Sequence, residues 1–308
     1  MINRVIIRIK VLQIVYAFYQ KDGSSLKSAE NELMRSIGHS YDLYFYLLFL
    51  MVSLTDTEQK RLDAQKHKYL PTEKELNPDT RLIENKFIEQ LQSNQTLESF
   101  ITKHGNIWDN DDNSFLRSML TKILESDLYQ DYLKSENNYN SDREFWHKVF
   151  KHIIIKDDEL REIANDNSIY IDDDLELIGT FVLKTINRFD PAKGDEQELL
   201  PMFKDDEDRE FAIQLLHRTL LEKEENSELI NQQIKNWDID RIAVMDLYIM
   251  QIALAEIKNF SNIPIQVSLN EYIDLARYYS TPQSARFING ILDAIVNELK
   301  GQGKLFKA

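Results

Sequence analysis

The sequence has no cysteine. That excludes disulfides, thiolate zinc sites and cysteine nucleophiles, and it agrees with a reducing compartment. Turn-forming residues are scarce as well: eight glycines and six prolines in 308 residues. Sandwiches and barrels need many turns, and nucleotide-binding α/β folds need glycine loops, so the shortage points to an all-α fold with polar links. No run approaches the roughly 20 apolar residues that span a bilayer. The longest, Tyr41 to Val52, carries Asp42. Met1-Ile2-Asn3-Arg4 lacks the charged segment, apolar run and small-residue cleavage site of a signal peptide. A cytoplasmic location with no membrane partner is therefore expected.

Catalytic signatures are missing too. No phosphate loop, nucleophile elbow or triad pattern occurs. Asp109-Asn110-Asp111-Asp112-Asn113 starts like a calcium loop, but Ser114 stands where the loop needs glycine and Leu120 where it needs glutamate. His147 and His152 are five apart, off one helical face. Asp172-Asp173-Asp174 reads as acidic charge at a helix start. A non-enzyme with no metal and no cofactor is expected.

Positive charge is short on average, with a net of −15. Affinity for phosphates comes mostly from Lys and Arg, so this argues at first against nucleic acid. The average hides an asymmetry. Residues 1–27 carry a net +4 and residues 241–308 a net +1, which leaves −20 for residues 28–240. The acid sits in the middle.

What is present is hydrophobic periodicity. Hydrophobic residues make up 43% of the chain and aromatics 10%, enough for a sizeable core. Arg4 to Gln20 is apolar on most sides, the mark of a buried helix, with Arg4, Arg8 and Tyr19 on one stripe and Tyr16 beside it. Helices are expected over 26–39 and 40–62, a polar link over 63–80, and helical patterns over 81–104 and 114–133. Asp190 to Asp208, with Pro191, Gly194 and Pro201, is a second boundary. Arg143-Glu144-Phe145, Val149-Phe150 and Glu162-Ile163 repeat as Arg209-Glu210-Phe211, Leu215-Leu216 and Glu228-Leu229, 66 residues on. At an offset of 67, Tyr170, Leu175, Ile178 and Val182 fall on Trp237, Ile242, Met245 and Ile249. Two explanations fit: a degenerate duplication, or two amphipathic helix pairs that look alike by chance.

The C-terminal hundred residues are the most regular. Ile242, Met245, Ile249 and Ile252 form a helical stripe whose next member is Glu256. A carboxylate at an apolar position is costly unless paired or at a rim. It is either a helix-end residue in solvent or a contact held for a partner. Ile263 to Val267 reads as an extended link, with Ser268 and Glu271 as a capping box behind it. Thr281 and Pro282 suit the cap and first turn of a last helix with Ile288, Ile291, Leu292, Ile295, Val296 and Leu299 on its core stripe. Arg286 and Phe287 near its start suit a phosphate and a stacked base.

The runs Trp237-Asp238-Ile239-Asp240-Arg241-Ile242, Ala253-Leu254-Ala255-Glu256-Ile257, Leu269 to Arg277 and Arg286 to Asp293 resemble, in order and spacing, the C-terminal half of the NusB family of transcription antitermination factors. Arg4, Arg8 and Gln13-Ile14-Val15-Tyr16 resemble the family's basic first helix. The resemblance implies two small three-helix bundles: residues 1–25 supply the first helix, 204–308 the main part, and 26–203 an acidic helical insertion. It implies a non-catalytic scaffold binding boxA-type RNA in ribosomal-RNA leader transcripts, with the ribosomal protein NusE, in the RNA polymerase antitermination complex. Arg4, Arg8, Lys10, Arg286, Phe287 and Asn289 fall on the RNA side, Tyr16 and Glu256 on the NusE side. The family's arginine cluster is usually denser, since Ile6, Ile7 and Ile9 interleave here, and Gln251 stands where an arginine is common. A protein-interaction module that no longer binds RNA is the alternative.

Overall fold

The computed structural model describes residues 1–21, 25–69, 72–109, 113–167, 174–234 and 242–305. Trp237 to Arg241, Tyr170, Asn110 to Asp112 and the pair Asp172-Asp173 lie outside the described residues. Within them the chain is helical, and the one β pairing is an isolated parallel bridge between Ile2 and Phe203. The helices are α1 (Arg4–Gln20), α2 (Leu26–Lys66), α3 (Glu73–Leu76), α4 (Lys86–Gln92), α5 (Gln95–His104), α6 (Ser114–Leu124), α7 (Asp127–Lys134) and α8 (Tyr139–His152). They continue with α9 (Asp158–Asn167), α10 (Asp174–Arg188), α11 (Asp206–Leu221), α12 (Lys223–Ile234), α13 (Val244–Asn259), α14 (Ile265–Tyr279) and α15 (Ser284–Gly301).

The chain divides into two compact units. One holds Met1 and residues 38–202; the other holds residues 2–37 and 203–308. Residues 26–37, the first turns of α2, thus belong with α1.

The unit of residues 38–202 is written largely in short polar caps. Asn85, Asn94, Ser126 and Asn138 each accept the amide three residues ahead, at 3.0, 3.1, 3.2 and 2.9 Å. Each such cap contributes about 1 kcal/mol. The caps explain why the periodic stretches 81–104 and 114–133 break into the pairs α4–α5 and α6–α7. Gly105 closes α5 at φ 84, a left-handed conformation that favours glycine, and its amide reaches the Ile101 carbonyl at 2.8 Å. Inside, rings stack: Phe45 on Phe100 at 4.4 Å and Tyr132 on Phe145 at 4.2 Å. Asp174 opens α10 at 1% exposure and accepts the Ser40 hydroxyl, so this acid is a buried anchor rather than a solvated helix start.

The expected break near residue 40 is absent. Ser40, which suits a helix cap, spends its hydroxyl on Asp174 instead, and no proline interrupts the run. The resulting 41-residue helix has the length and composition to cross a membrane, but 67% of its most apolar window is buried inside the protein.

In the other unit α13 is the central helix, packed by α1, α11, α12, α14 and α15. Neighbours on all sides explain why its residues from Ile249 to Ile257 are all buried. The α15 stripe is buried as its period requires. Two boundaries differ from expectation. Ile263 to Val267 is not an extended link, because α14 starts at Ile265 behind Pro264, leaving Ser268 inside the helix. The last helix begins at Ser284, with Thr281 in the preceding turn, its amide donating to Ser284 Oγ at 3.2 Å.

Candidate nucleic-acid and partner interface

α1 opens on Asn3, whose side chain accepts the Ile6 amide at 3.1 Å. Its apolar residues occupy nearly the whole circumference, so Ile6, Ile7, Val11, Leu12, Ile14 and Val15 are all buried. Cations interleaved in such a helix are carried inward with them. Arg8 is 3% exposed and Lys10 is fully buried, so neither lies on an RNA-accessible face. This corrects the assignment of both to that face.

Arg8 is held in a closed network. Its Nε and Nη2 donate to the two carboxylate oxygens of Glu256, both at 2.8 Å, and Nη1 donates to Glu271 at 3.1 Å. Glu256, fully buried, also accepts from Ser268 Oγ at 2.7 Å and from the Tyr272 hydroxyl at 2.8 Å. Burial works against the Arg8 charge, but the bonds and charge of Glu256, Tyr272 and Glu271 outweigh it, and the guanidinium is raised above its ordinary range. Desolvation, with the Glu256 charge, pushes the Tyr272 phenol well up. The bidentate fork is the geometry in which an arginine repays burial of a carboxylate.

Two residues assigned to opposite faces therefore meet in the core. Glu256 is neither at a rim nor open to a partner, which corrects its placement on the NusE side. The capping box is corrected by the same contacts, since Ser268 bonds to Glu256 and Glu271 to Arg8. The signal was present in the sequence: a carboxylate on the apolar stripe of one helix and an arginine within another apolar helix each demand the other.

The remaining positions stay at the surface. Arg4 is 30% exposed, with Nε 3.3 Å from Asp208 and its guanidinium over the Phe211 ring at 5.0 Å. Arg286 is exposed and makes no ion pair among the described residues. Phe287 and Asn289 are half-buried, and Asn289 donates to Asp293 at 3.2 Å. The turn before them is tied down by Asp246, 4% exposed in the first turn of α13. Its carboxylate accepts from Ser280 Oγ and, at 2.9 Å, from Ser284 Oγ; the two serine oxygens are 3.0 Å apart.

Tyr16, 42% exposed, lies edge-on to Tyr248 at 6.1 Å, and Tyr248 lies 5.0 Å from Tyr19. Lys223 caps the Tyr19 ring at 4.4 Å. Desolvation, reinforced by Tyr248 and Glu224, raises the Tyr19 phenol. Asp246, Tyr248 and Lys223 escaped sequence reasoning; the acid and the tyrosine stand within five residues of Val244, and nothing in their spacing marks them. No metal-binding group of His, Cys, Asp or Glu occurs among the described residues.

A profile of the NusB family matches residues 180–297. The chain is 38% identical over 132 residues to the transcription antitermination protein NusB of Salinibacter ruber, 41% of this chain and 82% of that protein. It is 38% identical to the NusB of Koribacter versatilis, over 32% of this chain and 68% of that protein. With the NusB of Bacillus pumilus the identity is 32%, over 39% of this chain and 92% of the relative. No solved structure matches the chain significantly.

Proposed function

The chain belongs to the NusB family, and from that premise we propose that it is a transcription antitermination protein that binds boxA-type RNA of ribosomal-RNA leaders together with the ribosomal protein NusE. It acts by holding rather than by chemistry. Arg286, exposed beside Phe287 and Asn289 and without an ion pair among the described residues, is the observation that carries the RNA reading, because a surface cation so placed is free to take a phosphate. Arg4 adds to it, its charge shared with Asp208. The cluster of Tyr16, Tyr248 and Tyr19 supplies the ringed, half-exposed surface that suits a protein partner, here NusE in the antitermination complex of RNA polymerase. Residues 38–202 are, in this reading, an acidic insertion into a cytoplasmic family scaffold.

Burial of Arg8 and Lys10 favours a second reading, an interaction module without RNA affinity, because it removes two of the expected phosphate contacts. Titration of labelled boxA-type RNA, with and without NusE, separates the two. Binding stronger than to scrambled RNA, and falling with salt, is expected. Equal affinity for both sequences leaves the interaction module.

A further inference from the structure

Tyr278 is 85% exposed in the last turn of α14. Its ring stacks on no other ring, and its hydroxyl has no hydrogen-bond partner among the described residues. Tyr248 of α13 and Tyr272 of α14, by contrast, are engaged. An isolated exposed aromatic is ordinary on a protein surface. What sets Tyr278 apart is how it is held. Two residues further on, Ser280 donates to buried Asp246; Ser284 donates to the same carboxylate, and two residues beyond it stands Arg286. Thr281 joins the clasp, its hydroxyl 2.8 Å from Ser284 Oγ. An aromatic ring and a cation with no ion pair among the described residues thus flank one buried anchor, each two residues from a clasped serine.

Resting on the RNA reading above, we infer that Asp246 is a positioning residue that fixes the α14–α15 corner so that Tyr278 stacks a base and Arg286 takes a phosphate of the same single-stranded segment. Stacking needs a face that is open and pre-set, since an ordered ring loses less conformational freedom on binding. The phosphate needs a cation not already neutralised: among the described residues Arg286 has no ion pair, whereas Arg8 is held by Glu256 and Glu271. Without the carboxylate, the hydroxyls of Ser280 and Ser284 lose their common acceptor, and the corner can turn either side chain away. A protein ligand would use the tyrosine but would gain nothing from the alternation of ring and cation that a nucleotide chain offers.

The test uses the full chain and labelled single-stranded boxA-type RNA, with affinity measured across a salt series. Tyr278→Ala is expected to weaken binding by roughly 5- to 150-fold with the salt slope unchanged, and Tyr278→Phe to restore it, because the ring face does the work. Arg286→Ala is expected to flatten the logarithmic salt slope by about 0.7, the value for one single-strand phosphate. Asp246→Asn, checked as folded by circular dichroism, is expected to lose affinity without further loss when combined with Tyr278→Ala, since both act at one place. Additive losses in that double variant would mean that Asp246 acts elsewhere, and would overturn its positioning role. Tyr278→Ala binding like the unmodified chain overturns the stacking site while leaving the RNA reading intact. Absence of RNA binding by the unmodified chain overturns both.

Discussion

The first and last helices of the family unit each place an arginine early, and the two meet opposite fates. In α1, Arg8 is 3% exposed and shared between Glu256 and Glu271. In α15, Arg286 is exposed and unpaired among the described residues. Both sit in helices with abundant isoleucine, so composition does not separate them. Their neighbours do: α1 is apolar around most of its circumference, whereas α15 confines its apolar residues to one stripe. A cation within an all-round apolar helix must go inside and find a carboxylate; a cation off a narrow stripe stays in water and remains available. The same residue type is structural in one helix and a candidate contact in the other.

Removing either arginine sharpens the contrast. Arg8→Ala leaves Glu256 buried without its counter-charge, and a loss of about 3–5 kcal/mol in chemical denaturation is expected, with secondary consequences for every ligand. Arg286→Ala is expected to leave the denaturation midpoint within about 0.5 kcal/mol of the original, as surface substitutions do. An effect smaller than that of Arg8→Ala comes from Tyr272→Phe, which withdraws one donor from Glu256 and is expected to cost about 1–3 kcal/mol. That variant also changes the alkaline limb. Because the folded phenol is held above its ordinary value near 10, its contribution is complete below that pH and is lost as pH rises further; the phenylalanine variant should show a shallower decline above pH 10. Arg4→Ala is expected to change stability by up to about 1 kcal/mol, between Tyr272→Phe and Arg286→Ala, since the pair with Asp208 is partly exposed.

Much of the fold was legible because helical period and capping chemistry are local. Arg4–Gln20 follows its apolar run, and the α15 stripe is buried residue for residue. Where distant residues claimed a local signal, reading along the chain misled. Ser40 and Ser268 both look like helix starts, and both give their hydroxyls to a buried carboxylate elsewhere in the chain. The site was legible in pieces. Arg286 and Tyr16 are exposed, as a surface role requires, while Arg8 and Glu256, 248 residues apart, were each visible as an anomaly but not as a pair. Spacing carries no information at that separation; the cost of burying an unmatched charge does.

The contrast between the two arginines can be read in one experiment: arginine modification by phenylglyoxal on the folded chain, with and without boxA-type RNA, quantified residue by residue by mass spectrometry. Arg286 should react freely and be shielded when RNA is added, while Arg8 stays unmodified in both samples. Reaction of Arg8 in the free protein, with shielding by RNA, would contradict the account by showing that the first helix turns its cation outward.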